Sequence, residues 1–409
     1  MKSSLKDKEV QKIAKNILKE FKLCDYCLGR LFKKIEIQIP NNERGKKIRE
    51  HLKIEKQTKP KNCWLCSGLV KEIDHFVKLI EDSLRDYEFD TFLIGVVVDE
   101  EILEKEQKLF EKSKSPHIES IKNELKREIG KILEKKLGKE VNFEKPTIMA
   151  IIDTSYDTVT LQISSLYFYG RYKKYSREIP QTRWFCKICR GKGCKRCNYT
   201  GKIYDLSVEE LISKSFLKAT KGEDESFHGS GREDVDVRML GDGRPFVLEV
   251  NNPKVRTVDL KKITKEINNS NKDIVEVDRI RYSDKDEVVR IKNSSFNKTY
   301  RVIFKCEKPV TNEKLKKAVL TLPGSKIRQF TPSRVAHRRA NMVREKHIYK
   351  CNLESIDGAI AVLTLETESG TYIKELVSGD GGRTTPSISE LIGVPCNVTE
   401  LDVIEIKGE

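Results

Sequence analysis

Apolar residues recur every three or four positions at Val10, Ile13, Ala14, Ile17, Leu18 and Phe21, the spacing that lays one face of a helix against a core. That helix leads straight into Cys24 and Cys27; a polar, lysine-rich stretch runs on to Lys61, and Cys63 and Cys66 follow. Ile73, Phe76, Val77, Ile80 and Leu84 then repeat the helical spacing, so the cysteines bracket a connection between helices. Phe92 to Val98 is an apolar run of strand length, and Ile118, Ile121, Leu125, Ile129 and Leu133 predict a helix that ends at Leu137 with Gly138 as its cap. Thr147–Asp153 and Thr158–Tyr169, rich in Ile, Val, Thr and Tyr, predict strands. Residues near 70 to 170 therefore have the pattern of a small mixed α/β unit, with its end placed near the cysteine cluster at 186.

From Gly229 onward, strand-like runs alternate with Gly, Asn and Asp turns. The clearest strands are Arg244–Val250, Ile274–Tyr282, Thr299–Phe304 and Ala359–Thr367, with helices near Asp259–Ile267 and Ser369–Val377. This is an α+β pattern with long connections. There is no internal repeat or low-complexity tract, which removes solenoid and fibrous architectures.

The length of 409 residues gives a prior of two to three domains, and 37% apolar against 35% charged residues describes a globular but highly charged chain. A surplus of Lys and Glu fits growth at high temperature, and a biased genome would produce the same composition. Lys and Arg exceed Asp and Glu by 79 to 63, a net +16 that favours a polyanionic partner, nucleic acid or an anionic membrane. The longest run without a polar side chain, Phe92–Val98, is far short of the roughly 20 residues of a membrane span. The amino terminus is charged throughout and lacks a signal-peptide pattern, so a cytoplasmic location is expected.

Eight of the eleven cysteines fall into four Cys-x-x-Cys pairs, which in a reducing compartment argues for metal ligation. Cys186, Cys189, Cys194 and Cys197 lie within twelve residues, and Gly191 and Gly193 permit tight turns between the pairs. Four thiolates leave no open position, so the metal, zinc, would be structural. A DnaJ-type chaperone would repeat this element several times, and the chain holds it once. Cys24, Cys27, Cys63 and Cys66 form a second candidate site, with Trp64 and Leu65 placed to pack beneath it. A thioredoxin-like redox pair would need a strand before the first cysteine, where a helix is expected. Cys306, Cys351 and Cys396 are separated from these clusters and fit ordinary buried cysteines.

Three further segments bear chemistry. His228–Val250, HGSGREDVDVRMLGDGRPFVLEV, crowds glycines, acids and arginines into turns, but it is neither a P-loop nor a Rossmann turn, so a nucleotide cofactor is not expected. Residues 324–350 hold eight Lys or Arg against one Glu, with Phe330, His337 and Tyr349 available for stacking, a composition suited to tracking RNA phosphates. In residues 368–393, Gly-Thr-Tyr-Ile-Lys-Glu-Leu enters a helix with an aromatic and a basic residue two apart at its mouth.

GREDVDVRMLGDGRPF, NKTYRVIF, TPSRVAHRR and SGTYIKELVSGDGGRTTPS together resemble the archaeal and eukaryotic tRNA pseudouridine synthase family numbered ten, which modifies uridines 54 and 55 of the TΨC loop. SLYFYGRYKKYSREIPQTRW is similar to the end of that family's amino-terminal half, so the likeness spans nearly the whole chain. The resemblance implies an amino-terminal helix and zinc module over 1–69, a THUMP-like RNA-binding domain over 70–180, a second zinc element over 181–202, and a mixed-sheet pseudouridine synthase domain over 203–409. It makes Asp234 the catalytic nucleophile, with Glu233 and Asp236 as neighbouring carboxylates, and sets Lys374 against the acid to keep it ionised. Tyr300 would stack on the target base and help remove the C5 proton, and Tyr372 would contact substrate. Arg232, Arg334, His337, Arg338, Arg339 and Arg344 would grip the RNA loop, and Arg171, Lys173 and Lys174 would hold the acceptor arm. Phe330 departs from the family pattern, standing before Thr-Pro where a Lys or Arg is expected.

The implied partner is tRNA, with one or two structural zinc ions, no organic cofactor and no membrane. A THUMP-linked methyltransferase or thiolase would require a glycine-rich nucleotide loop, which is absent. A non-catalytic zinc-containing RNA-binding protein would explain the charge and the cysteines but leave Gly-Arg-Glu-Asp and Gly-Thr-Tyr-Ile-Lys-Glu without a purpose.

Overall fold

The apolar stripe at the start of the chain forms the helix Lys8–Glu20, with Val10, Ala14 and Ile17 buried. In the computed structural model, which describes residues 4–54, 59–338 and 340–407, the chain divides at Ser164/Ser165 into two compact units. The first unit carries a four-stranded sheet of β1 (Thr91–Val97), β2 (Glu140–Val141), β3 (Ile148–Asp153) and β4 (Thr158–Ile163), in the order β2-β1-β3-β4. β1 is parallel to both of its neighbours, β2 and β3. Phe92, Ile94 and Val96 on one of its faces are buried, while on the other Leu93 is half-buried and Val97 exposed. The helix Ile121–Leu137 buries Ile121, Leu125, Ile129 and Leu133 completely and ends at left-handed Gly138, as its spacing predicts. The helix Glu100–Ser113 escapes a periodicity reading because it buries only Glu106, Leu109 and Ser113.

Ahead of this sheet, the short helices Asp25–Arg30 and Asn41–His51 cross at two glycines. A side chain on Gly29 would run into the Asn41 carbonyl, and one on Gly45 into the Asp25 carbonyl. The crossing is tied by buried charges: Arg49 Nε lies 2.8 Å from Asp25, and Glu124 accepts from Arg30 at 2.9 Å and from Asn41 at 2.7 Å.

The second unit is a mixed sheet of ten strands: β5 (Leu166–Lys174), β6 (Asp224–Gly229), β7 (Val237–Asn251), β8 (Val275–Ser283), β9 (Lys298–Cys306), β10 (Lys326–Phe330), β11 (Val343–Asp357), β12 (Ile360–Thr367), β13 (Thr384–Thr385) and β14 (Cys396–Ile406). The order is β13-β10-β11-β12-β9-β14-β7-β5-β8, with β6 paired to β7. β14 and β7 run parallel where Leu401–Val403 meets Val237–Met239, while the later part of β7 lies antiparallel to β5 and β6. The Gly241-Asp-Gly243 kink allows this change of partner: both glycines have positive φ, and side chains there would strike the carbonyls of Ile404 and Tyr172. Ile212 and Phe216, Ile263 and Ile267, and Leu315 and Val319 bring helices onto the core.

Two expectations change. Thr158–Tyr169 is not one strand but β4 and the start of β5, interrupted at Ser164–Ser165 and divided between two sheets. The first unit therefore ends at Ser164, ahead of the expected 180, and Arg171, Lys173 and Lys174 lie in the large sheet. Alternation alone cannot reveal such a break, because both pieces favour a strand. The helix expected over Ser369–Val377 is shortened to Ile373–Ser378, following a turn at Gly370 with φ of 79°. Among the described residues, no helix is long and apolar enough to cross a membrane.

Because the helix crossing leaves no space for a methyl group, Gly45→Ala is expected to destabilise the first unit by about 1–3 kcal/mol or more through overpacking. Denaturant unfolding of the full chain checks this, and an unchanged midpoint would contradict the crossing.

Candidate active site

Three neighbouring acids stand in the loop between β6 and β7, and their surroundings give them different tasks. The Glu233 side chain is fully buried and accepts from Arg244 Nε at 2.8 Å and the Tyr172 hydroxyl at 2.9 Å. Gln181 Nε2 donates to Tyr172 Oη at 2.7 Å and to the Gly231 carbonyl at 3.0 Å, and Arg244 Nη1 donates to the Ser230 carbonyl at 2.8 Å. Burial, reinforced by Glu233, pushes the Tyr172 hydroxyl well above its usual pKa, so it remains a neutral donor. Asp236 is mostly exposed and takes both of its close contacts from Lys374 Nζ, at 2.6 and 2.9 Å. Its pKa is lowered: Lys374 outweighs the opposing effect of burial.

Asp234, between them, keeps 33% of its side chain exposed and lines a cavity of about 610 Å³. Its Oδ2 lies 2.7 Å from Arg334 Nη1 and 3.8 Å from Lys374 Nζ. Arg334 also reaches buried Glu375 through Nε at 2.7 Å, so the guanidinium is aimed at Asp234 from a fixed anchor. The direct cationic partner of Asp234 is thus Arg334, expected on the RNA-gripping segment, while Lys374, expected against the acid, pairs chiefly with Asp236. From behind, Lys174 Nζ donates to the carbonyls of Ile179 at 3.0 Å, Asp234 at 3.2 Å and Val235 at 2.8 Å.

Tyr300 on β9 and Tyr372 at the mouth of the helix Ile373–Ser378 line the same cavity, with Arg232 and Arg344. Burial raises the Tyr300 hydroxyl to about 12, so at neutral pH it presents a flat neutral ring. The Arg344 guanidinium stands 5.9 Å from the Tyr372 ring centroid, and its Nη1 donates to Thr331 Oγ1 at 3.0 Å. Phe330 lies 41% exposed with the Arg383 guanidinium 5.7 Å from its ring centroid, so a cation is still present beside the position where the family pattern expects one. The side chains of His337 and Arg338, and all of Arg339, lie outside the described residues.

Arg171 and Lys174 are buried, and Lys173 is paired with Glu276 at 3.0 Å. Arg171 donates to the carbonyls of Asp242 at 2.7 Å and Gly243 at 2.9 Å, bracing the kink in β7. The acceptor-arm role expected of these residues gives way to a bracing one, because their charged ends are engaged with the protein's own backbone and side chains. Lys298, Gln181 and Glu375 escaped the sequence reading. Lys298 alone had a legible signal, lying two residues before Tyr300 and hence on the same face of its strand.

The two cysteine quartets assemble, each with its four sulfur atoms within 4.8 Å of one another. Cys24 and Cys66 sulfurs stand 3.8 Å apart, and in the second quartet the close pairs are 3.7, 3.8 and 3.9 Å apart. A tetrahedron with metal–sulfur bonds of ~2.3 Å has edges of ~3.8 Å, so the donor set fits a metal ion. Arg30 Nη2 points at Cys27 Sγ from 3.1 Å, and the amides of Gly193, Cys194 and Gly201 point at sulfurs from 3.2 to 3.3 Å, contacts suited to thiolates. Leu65 is buried as expected, and Trp64 packs on Phe21 with centroids 4.4 Å apart. Cys306 and Cys396 prove not to be isolated, facing each other across β9 and β14 with sulfurs 3.0 Å apart.

The family model for the Pus10 C-terminal region matches residues 167–407, and that for the archaeal Pus10 THUMP domain matches 76–153. The tRNA pseudouridine synthase Pus10 of Methanocaldococcus jannaschii is 40% identical over 429 aligned residues, covering 95% of this chain and 93% of that protein. The one from Methanothrix thermoacetophila is 38% identical, covering 97% and 94%, and that of Pyrococcus furiosus 39%, covering 96% and 97%. A solved Cbf5-Nop10-Gar1 complex aligns at 18% identity with a TM-score of 0.31 over 49% of this chain and 45% of that one, too faint a likeness to bear on the fold. The class is that of the THUMP-containing tRNA pseudouridine synthases. Within it, the chain belongs to the Pus10 family.

The cavity also holds an uncompensated charge. Lys298 is 7% exposed, and burial, aided by Arg244 and Lys346, lowers its pKa from 10.5 to about 8. A lowered lysine pKa means that the charged form is penalised in the fold, in full below about pH 8, decreasingly up to about 10.5 and not at all above. Lys298→Met is therefore expected to raise the unfolding free energy at neutral pH by up to about 3 kcal/mol. This advantage should shrink as pH climbs through that window, which denaturant titrations across it would measure.

Proposed function

We propose that this chain isomerises uridine 54, uridine 55 or both in the TΨC loop of tRNA, with Asp234 as the nucleophile. The observation that carries the reading is the division of labour among three adjacent acids. Glu233 is consumed by Arg244, Asp236 is turned to Lys374 in solvent, and Asp234 faces the cavity with Arg334 at 2.7 Å. An arginine at that distance orients a carboxylate through a charge-assisted hydrogen bond. An Asp234 oxygen attacks C1′ and the N1–C1′ bond breaks, with its electron pair remaining on the uracil. The freed ring turns on the Tyr300 face, C5 attacks C1′, and the carboxylate departs with its bonding pair. C5 then loses its proton and N1 gains one, so the product is an isomer and no redox partner is needed. The neutral Tyr300 hydroxyl favours a stacking role over that of a standing base.

The target base must leave its stack to enter the cavity. Arg232, Tyr372 and Arg344, with His337, Arg338 and Arg339 on the basic segment, would hold the displaced loop, while the amino-terminal unit would hold the acceptor arm. The metal in both quartets would be zinc. When bound, it closes a four-thiolate site and supplies folding energy, on the order of 10 kcal/mol in small zinc modules. Incubating unmodified tRNA with the protein, without added cofactor, and mapping pseudouridine distinguishes this reading from a non-catalytic RNA-binding protein.

Asp234→Asn is expected to abolish conversion while leaving tRNA affinity within a few-fold, since few binding contacts depend on that charge. Glu233→Gln should instead lower stability, because it weakens the compensation of buried Arg244. Turnover assays paired with unfolding curves separate the two, and near wild-type turnover by Asp234→Asn would remove the nucleophile assignment.

Metal analysis of purified protein should find about two zinc per chain, and Cys186→Ser should lower stability and tRNA binding while sparing slow turnover. Loss of turnover on brief chelation, with circular dichroism and RNA affinity unaltered, would overturn the structural role.

A further inference from the structure

Lys298 is a buried cation of the cavity that has no carboxylate partner among the described residues. Eight cationic side chains line the space against two carboxylates, Glu233 and Asp234. Arg244 has Glu233, Arg334 has Asp234 and Glu375, Lys346 has Glu368 at 2.8 Å, and Lys374 has Asp236. Lys298, more than nine-tenths buried, donates only to neutral oxygens: Ser369 Oγ at 3.2 Å and the Phe296 carbonyl at 3.4 Å. Among the described residues no carboxylate lies within ion-pair distance of it. The charged groups facing it are Arg244 and Lys346, both cations. A fold does not gain stability by burying an ammonium in this way, so such a group marks a place where charge is supplied from outside.

The space in front of it is shaped as well as charged. A Cβ built on Gly231, which has φ of 72°, would stand 3.4 Å from Arg244 Nη1 and 3.9 Å from Lys298 Nζ. The glycine thus leaves open a spot bordered by Lys298 Nζ and by Arg244 Nη1, which also donates to the Ser230 carbonyl, while the Ser369 hydroxyl lies on Lys298 Nζ. Lys298 and Tyr300 lie on one face of β9, about 7 Å apart along the strand. That spacing is comparable with the step from a base to its own phosphodiester.

We infer that Lys298, with Ser369 and the open face of Gly231, forms a phosphate subsite that holds a phosphodiester flanking the target uridine while its base lies against Tyr300. The inference rests on the isomerase reading of the cavity. It adds that the enzyme positions the target nucleotide by one particular backbone phosphate inside the cavity, separately from the basic segment over residues 324–350. Lys298 is a substrate-positioning residue in this scheme and takes no part in bond making.

The test is a coupling experiment between one side chain and one phosphate. A stem-loop RNA with a neutral methylphosphonate placed in turn at each linkage flanking the target uridine is titrated against wild type, Lys298→Met and Lys298→Arg, and affinity is read by fluorescence anisotropy. One linkage should weaken wild-type binding about tenfold when neutralised. Lys298→Met should show the same loss with native RNA and no further loss at that linkage, while Lys298→Arg should retain most of the affinity and the sensitivity. KM should follow the affinity, with kcat changed much less. An equal penalty at every linkage in wild type and Lys298→Met would overturn the inference. So would micromolar binding of inorganic phosphate that disappears in Lys298→Met without any linkage sensitivity, which would make this a site for a free anion. Because affinity is read without turnover, the coupling would stand even if no uridine were converted, and that outcome would remove the isomerase reading alone.

Discussion

The pairing of Arg244 with Glu233 is the contact from which the site is built. Both side chains are almost fully removed from solvent, and a buried ion pair is tolerated only when its remaining donors and acceptors are also engaged. Here the Ser230 carbonyl, the Tyr172 hydroxyl and Gln181 complete the set, so the loop from Ser230 to Glu233 is fastened at several points to strands β5 and β7. Removing one partner of such a pair typically costs about 3–5 kcal/mol. The adjacent residue, Asp234, inherits that rigidity: its backbone is held by Lys174 and its carboxylate is met by Arg334. The carboxylate is thereby presented to the cavity from a fixed position.

The same cavity is poor in protein anions, and that deficit is the electrostatic counterpart of the rigid loop. Cations in a partly desolvated recess repel one another and penalise the free protein, but the penalty is relieved when a polyanion enters. Stability is thus given up in the unliganded state for attraction that appears only with substrate present. The distribution of the net charge matters more than its size. Many lysines pair locally with carboxylates, as Lys105 does with Glu101 and Lys374 with Asp236, whereas buried Lys298 in the recess has neutral oxygens alone.

Much of this was legible from sequence, for identifiable reasons. Helices with a clean apolar face, such as Ile121–Leu137, and strands bounded by turn residues declare themselves through local spacing. The two cysteine quartets do so through paired Cys-x-x-Cys units. Asp234, Tyr300 and Tyr372 were reached through long composite motifs, and the cavity gathers all three. The partner of Asp234 was not legible, because Arg334 and Lys374 are both basic residues in similar motifs and only tertiary geometry decides which one touches the acid. Arg171 and Lys174 misled for the complementary reason: in a basic strand, a lysine bound to three backbone carbonyls reads the same as one waiting for RNA. The boundary at Ser164 was hidden because strands on either side of it have equal propensity.

The kink at Gly241 and Gly243 has a consequence for the order in which this enzyme comes into being. By changing partners there, β7 joins β5 and β6, which are close in sequence, to β14, which is far away; Val237, three residues after Asp234, sits in register with Leu401. Contacts of such long sequence separation carry a large loop-closure entropy and form slowly. One half of the scaffold can assemble from neighbouring segments, but the flank of the Asp234 loop waits for a strand far later in the chain. A ribosome-bound chain lacking β14 would already carry every cysteine of both quartets, yet would have no completed sheet beside Asp234. The sheet flanking Asp234 is then completed only when the whole carboxy-terminal unit folds together.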